Sequence, residues 1–324
     1  MKPIWKDILL SLLLGMVLPW LVLSLVLYLH TIQDGETEKS SGEFSAPSET
    51  IQPVALTMYL RQSDGSLVQI DMDTYLTGVI LAELPASFEA EAKKAQSVAA
   101  RTFAWKAVTT GGKHGDGSVC TDSTCCQAYI DPEFYAGTEE AVRSAREAVL
   151  ATSGAVLTYQ GSLIEATYFS CSGGSTEDAV AVWGSDVPYL RATQSPGEEG
   201  ATHYVDTVTF SAEEFAAALG TDLPGEPTRW IGMVTYTAGG GVATMEIGGK
   251  TYKGTELRTL LGLRSTAFTM AVEADTVTVT TRGFGHRVGM SQYGADAMAA
   301  AGNTYREILA HYYQGAVLTQ IPEN

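Results

Sequence analysis

The sequence predicts an α+β fold, a mixed-sheet domain with one inserted subdomain, preceded by a single transmembrane helix. Strand-like and helix-like segments follow one another without regular βαβ alternation, which argues against a parallel doubly wound sheet. The second half of the chain is mostly short strand-like runs bounded by glycine. Ile8 to Leu29, about 22 residues, carries no charge, and at a helical rise of about 1.5 Å per residue it spans a bilayer core.

Lys2 and Lys6 precede that apolar run and Asp34, Glu36 and Glu38 follow it, so the N-terminus is expected in the cytoplasm and the rest outside. No small-x-small cleavage site follows Leu29, which favours an uncleaved anchor over residues 1–30 against a signal peptide. Pro19 is tolerable inside such a helix. Residues 31–53 are rich in Glu, Ser and Thr without hydrophobic period and read as a flexible linker. The folded domain is assigned to 54–324, with 202–274 as the inserted subdomain.

Within it, Met58–Leu60 and Leu67–Ile70 flank Ser63-Asp64-Gly65 as a hairpin. Asp73 reads as the cap of a short helix that must stop near Glu83-Leu84-Pro85, because a residue before proline avoids helical angles. Ser87 reads as the N-cap of the next helix, which runs to Gly111-Gly112 with a small inner stripe of Ala92, Ala95 and Ala99. A further helix is expected over 139–150. Strands are expected at 155–159, 163–169, 231–237, 242–247 and 276–281, with short helices at 256–261, 291–301 and 304–313. Thr304 and Glu307 have capping-box spacing.

The formal net charge of −17 over 324 residues argues against nucleic acid, since phosphate binding needs clustered Lys and Arg. A hydrophobic share of 45% is enough for a real core.

Three blocks carry chemistry. The first is Tyr75-Leu76-Thr77-Gly78-Val79-Ile80-Leu81-Ala82-Glu83-Leu84-Pro85, followed by a helix bearing Lys94-Ala95-Gln96-Ser97-Val98-Ala99-Ala100-Arg101-Thr102. The second is Tyr168-Phe169-Ser170-Cys171-Ser172-Gly173-Gly174, and the third runs from Gly283 through His286 and Gln292 to Ala295. In combination these resemble the stage II sporulation protein D family, which includes the amidase enhancers. The resemblance spans about Val54 to Leu318.

The resemblance implies a lytic transglycosylase that cuts peptidoglycan glycan strands after a partner amidase has removed their stem peptides. It implies a stage II sporulation protein P type amidase and a membrane scaffold protein as partners. It also implies action at the septal, forespore-engulfing membrane. A runner-up from another class is a glycan-binding enhancer of an amidase that does not cut. Glu83 fits the catalytic acid, because a carboxyl flanked by Leu81, Leu84 and Pro85 and placed at a helix C-terminus has its proton affinity raised. Arg101 either holds a muramic acid carboxylate or pairs with Glu89 or Glu91. Gln96, Tyr168, Ser172, Gly173, Gly174, His286 and Gln292 complete the expected substrate cleft. Arg287 stands where the family commonly has glycine, and is expected to narrow or charge that cleft.

His114, Cys120, Cys125 and Cys126 offer four soft ligands within thirteen residues, enough to close a structural tetrahedral zinc site. Disulfides of Cys120 with Cys126, or of Cys171 with a loop cysteine, are the alternatives outside the cytoplasm. Vicinal Cys125 and Cys126 are poor partners for each other, which favours zinc. Some family members hold zinc in this loop with a histidine in place of Cys125.

Overall fold

A computed structural model describes residues 56–321. The expected anchor and linker, 1–30 and 31–53, lie outside the described residues. No described helix is long and apolar enough to cross a membrane.

The chain opens with the hairpin β1 (Thr57–Arg61) and β2 (Leu67–Asp71), paired antiparallel. Helix α1 (Met72–Glu83) follows directly, and Asp71, rather than Asp73, caps it by accepting from Thr74 N at 2.9 Å. Pro85 ends it as expected: Leu84 is already extended at φ −116°, ψ 140°. Helix α2 (Ala90–Thr110) starts after Glu89 rather than Ser87, because the Glu89 N–H is taken by Asp296 Oδ1 at 2.7 Å. It stops on Gly111, which adopts φ 89°. Ala92, Ala95 and Ala99 are buried, and this small stripe lets other elements press against the helix backbone.

Strand β3 (Val119–Cys120) joins β1 in parallel. Helix α3 (Glu139–Leu150), capped by Thr138, and strands β4 (Ala155–Tyr159), β5 (Ser162–Leu163) and β6 (Tyr168–Phe169) come next. The strand expected over 163–169 is therefore broken: β5 pairs with β4, whereas β6 leaves for a different sheet. Helix α4 (Ala179–Trp183) precedes β7 (Val205–Ser211) and α5 (Ala212–Leu219). Strands β8 (Ile231–Tyr236), β9 (Val242–Ile247) and β10 (Lys250–Lys253) form an antiparallel meander, followed by α6 (Gly254–Leu260). Strand β11 (Phe268–Glu273) and β12 (Thr276–Arg282) complete a three-stranded sheet in which β12 is central, between β11 and β7. Strand β13 (Met290–Ser291) pairs with β6, and helices α7 (Gln292–Ala300) and α8 (Tyr305–Tyr312) lead to β14 (Val317–Gln320) beside β4.

The result is a mixed α+β fold of several small sheets around two separate cores. The larger core gathers Tyr75, Leu76, Val79, the alanines of α2, Leu157 and Ile308. The second gathers Phe215, Trp230, Met245, Tyr252, Leu257, Val277 and Val279. The segment with its own core runs past residue 274, because β12 supplies its central strand. We refer to these two parts as the first and second lobes.

Two charged residues on α2, Lys93 and the motif residue Arg101, turn inward. Lys93 is buried, and its Nζ donates to Ala86 O at 2.8 Å and Ser144 Oγ at 2.9 Å. Arg101 is 1% exposed and donates to Val149 O at 3.0 Å and Thr152 O at 2.6 Å. These carbonyls end α3, where helical acceptors lack an intrahelical donor, so the guanidinium caps a neighbouring helix. Its acidic partner is Asp73 at 3.3 Å, neither Glu89 nor Glu91.

Candidate functional site

Glu83 is the last residue of α1, so the proline that stops the helix also fixes where its carboxyl stands. The loop from Lys113 to Ala128 returns against this helix at Gly78. A Cβ there would meet Ile130 O at 2.5 Å and the Tyr129 ring at 2.4 Å, so only glycine allows the approach. That approach brings Ala128 N to 3.2 Å from Glu83 Oε1. On the other side Ser291 caps α7 by accepting from Gly294 N at 3.2 Å, which places Gln292 on the first turn. Gln292 Nε2 donates to Glu83 Oε2 at 2.9 Å. Burial pushes the Glu83 carboxyl above its ordinary range, while the Gln292 and Ala128 hydrogen bonds pull it part of the way back.

Glu83 opens into a cleft of about 730 Å³ shared with Gln127, Tyr168, Trp183, Arg258, His286 and Gln292. Gln127 fixes two tyrosines: Tyr75 Oη donates to its Oε1 at 3.1 Å, and its Nε2 donates to Tyr168 Oη at 2.8 Å. His286 sits between the rings of Phe169 and Trp183, each 5.4 Å away centre to centre. Its Nδ1 accepts from Val288 N at 3.1 Å. Burial, and then the positive charge of Arg258, push its pKa down to about 4, so the ring is neutral at pH 7. Tyr168, His286 and Gln292 thus stand where the sequence places them, around Glu83.

Five other expected contacts do not reach the cleft. Arg101 is consumed in capping α3. Gln96 is fully buried within the helical core, and its amide finds no hydrogen-bond partner among the described residues. Ser172, Gly173 and Gly174 form a supporting turn. Ser172 N, Ser172 Oγ and Gly173 N all donate to Glu198 Oε2, at 2.7, 2.8 and 3.1 Å. Glu198 is itself buried and also accepts from Ser195 Oγ, so the Gly-rich turn wraps a carboxylate of the protein rather than a sugar.

Arg287 also departs from expectation. It is 2% exposed and points away from the cleft, donating to Ser172 O, Ser175 O and Gly239 O, each at 2.8 Å, and to Glu177 Oε1 at 2.9 Å. It neither narrows nor charges the cleft.

Several cleft residues lie outside the sequence expectation, among them Gln127, Trp183 and Arg258. Trp183 and Arg258 lie outside the three motif blocks, and Gln127 sits among cysteines that drew attention to metal instead. In the sequence, Trp183 before Gly184 is the sole signal for any of them, and a weak one.

The ligand atoms of His114, Cys120, Cys125 and Cys126 lie within 4.8 Å of one another. Strand β3 positions Cys120, and a turn in which Asp122 O accepts from Cys125 N at 3.0 Å and Cys126 N at 2.7 Å presents the other two thiols. Zinc bonds to sulfur at about 2.3 Å, so a tetrahedral set has edges of about 3.8 Å. His114 Nε2 lies 3.6 and 3.9 Å from the Sγ atoms of Cys126 and Cys125, which are 4.0 Å apart. The donor set fits zinc, and all four cysteines are free of disulfides.

A mixed α+β domain with one lifted carboxylic acid on a broad cleft, beside a Cys₃His cluster, defines the class. The family model described as stage II sporulation protein matches residues 61–159. The stage II sporulation protein D of Bacillus subtilis (strain 168) is 40% identical over 303 residues, covering 90% of this chain and 87% of that protein. Its counterpart from Bacillus amyloliquefaciens is 39% identical over 282 residues, 85% and 81% of the two chains. The amidase enhancer of Bacillus subtilis (strain 168) is 34% identical, over 75% of this chain and 40% of that protein. The chain therefore belongs to the stage II sporulation protein D family.

Proposed function

We propose that the protein is a membrane-anchored lytic transglycosylase that cleaves MurNAc–GlcNAc bonds in peptide-stripped glycan strands during sporulation. One observation carries this reading: Glu83 is the only carboxylate lining the cleft among the described residues, and burial favours its protonated form. Hydrolysis of a glycoside ordinarily uses two carboxylates, one as acid and one to serve water or the sugar carbon. A lytic transglycosylase needs one. Glu83 donates its proton to the glycosidic oxygen as the bond to C1 breaks. The resulting carboxylate takes the proton of the muramic acid C6 hydroxyl, whose oxygen closes onto C1 as a 1,6-anhydro ring. Glu83 ends protonated, and no water is consumed.

Gln292 and Ala128 N–H stabilise the carboxylate between the two transfers. Trp183, 45% exposed beside His286, offers a ring face for a sugar. In this reading the anchor expected over 1–30 holds the domain outside the cell, and the family resemblance implies the septal, engulfing membrane. The amidase of the stage II sporulation protein P type and a membrane scaffold protein are the proposed partners.

The test uses stripped strands in ¹⁸O-labelled water with product masses read by mass spectrometry. The expected products are anhydromuramic ends free of solvent oxygen. Reducing ends carrying ¹⁸O sink the assignment in favour of a hydrolase. Intact strands that stay bound favour the glycan-binding enhancer, the reading that the amidase enhancer relative supports.

Zinc held by His114, Cys120, Cys125 and Cys126 has four protein ligands and no open position, so its proposed role is to fix the loop. That loop carries Ala128, whose N–H meets Glu83. Chelation is expected to release about one zinc per chain by elemental analysis and to lower the melting temperature, since zinc at about a hundredfold over its Kd stabilises by about 2.7 kcal/mol. Activity should fall with it and return on adding zinc. A chelated protein with unchanged melting and no released zinc removes the metal from the reading.

A further inference from the structure

Arg258 belongs to α6 of the second lobe, yet its side chain lines the cleft that holds Glu83. It makes no side-chain hydrogen bond or ion pair among the described residues. Of the eleven arginines, all among the described residues, five form no ion pair, and Arg258 is the one of these five that lines the cleft, in a chain where acids outnumber bases 37 to 20. Arg61, Arg101, Arg143, Arg191, Arg264 and Arg287 each meet a carboxylate. Burial lowers the Arg258 pKa with no carboxylate acting to restore it. A partly desolvated guanidinium facing a cleft without a partner is poised for an anion.

Two cationic side chains reach the cleft. They are Arg258 and Lys113, facing Glu83 and the single net negative charge of the proposed zinc ion held by three thiolates, in a protein of net charge −17. Lys113 already donates to Cys125 O. His286, close enough to feel the Arg258 charge, stays neutral and does not compete for an anion. Arg258, with no carboxylate partner of its own among the described residues, is the cation left to attract an anionic ligand.

We propose that Arg258 is the specificity residue that binds the free lactyl carboxylate of muramic acid in a stripped strand. The inference rests on the glycan reading of the cleft. Amide hydrolysis of a stem peptide converts a neutral lactyl amide into a carboxylate, which a guanidinium grips with two parallel hydrogen bonds. A peptide-bearing strand offers a neutral amide at the lactyl position, so Arg258 favours strands that an amidase has already stripped. The role assigned to Arg101 from sequence thus passes to a residue on the other lobe.

The experiment measures binding by calorimetry with the full chain in detergent, in a Glu83→Gln background so that no strand is cut. The ligands are stripped strands and the same strands with their lactyl carboxylates capped as methylamides. A charge-assisted hydrogen bond predicts about ten- to a hundredfold tighter binding of the carboxylate strand. Arg258→Ala and Arg258→Gln should both bind either strand at the capped level, and Arg258→Lys should keep part of the preference. Equal binding of the two strands by the Arg258 protein overturns the proposal, as does an equal loss on both strands in the variants. Binding is read independently of cleavage. A carboxylate preference in a protein that never cuts would end the transglycosylase reading and leave this one standing, and cutting without preference would do the reverse.

Discussion

Glu83→Gln should abolish strand cleavage while leaving strand binding intact. The substitution keeps the side chain's shape, and its carbonyl oxygen still accepts from Ala128 N, but it can neither give nor take the proton. General acid–base groups contribute about 10² to 10⁴ in rate, and here one carboxyl serves both steps, so the loss should lie at the upper end or beyond. Steady-state release of anhydromuramic ends by the two proteins measures it. A variant with a tenth or more of the parent rate removes Glu83 from the chemistry.

The same substitution has a stability signature that a plain contact residue lacks. Burial raises the pKa of Glu83 in the folded protein above its unfolded value. Its favourable contribution is therefore complete below the unfolded pKa and is lost as pH rises through the folded one. At pH 8 the parent carries an ionised, desolvated carboxylate that Glu83→Gln does not. The variant should melt higher there, with the gap narrowing as the pH falls through the raised folded pKa and closed below about 4. Cleavage by the parent should fall on the alkaline side of the same raised pKa, since the acid must begin protonated. Greater stability in a dead enzyme is the trade expected of a desolvated catalytic group.

What the sequence made legible follows from how local each signal is. Pro85 ends α1 within one residue of Glu83, and periodicity and capping gave α3 and α8 close to their observed bounds. Glu83, Tyr168, His286 and Gln292 sit in motif blocks that the fold brings together at one cleft. The same blocks misled for Gln96, Arg101 and the Ser172 turn, because a motif marks what a family keeps without saying whether it touches a ligand or holds the frame. Arg101 satisfies carbonyls about fifty positions away, and Glu198 fills the Ser172 turn from a segment with no motif at all. Such pairings arise only in tertiary packing. Arg258 was hidden for the converse reason: its significance is an absent partner in a particular place, which a sequence cannot display.

Arg287→Ala should destabilise the protein by about 3 to 5 kcal/mol, the usual cost of removing one partner of a buried ion pair. Arg287 and Glu177 are 2% and 1% exposed at their side chains. Glu177 Oε1 also accepts from Thr237 Oγ1 at 2.8 Å and Gly241 N at 2.9 Å, while Oε2 has no hydrogen-bond partner among the described residues. Without the guanidinium, a buried carboxylate keeps only neutral donors, and the carbonyls of Ser172, Ser175 and Gly239 lose theirs. These carbonyls join the turn beside the first lobe's core to the β8–β9 connection of the second, so the loss should loosen the lobes from each other. The backbone adds a second, separable term. Arg287 adopts φ 66°, a left-handed conformation that costs a residue with a Cβ about 1 kcal/mol or more. Arg287→Gly removes the same ion pair but relieves that strain, and should recover about 1 kcal/mol over Arg287→Ala in denaturant titrations. Adding Glu177→Gln to either variant should recover more, since the uncompensated charge is then gone. Equal stability of Arg287→Ala and the parent would show the pair to be dispensable. Equal stability of the alanine and glycine variants would show the left-handed backbone to be without cost.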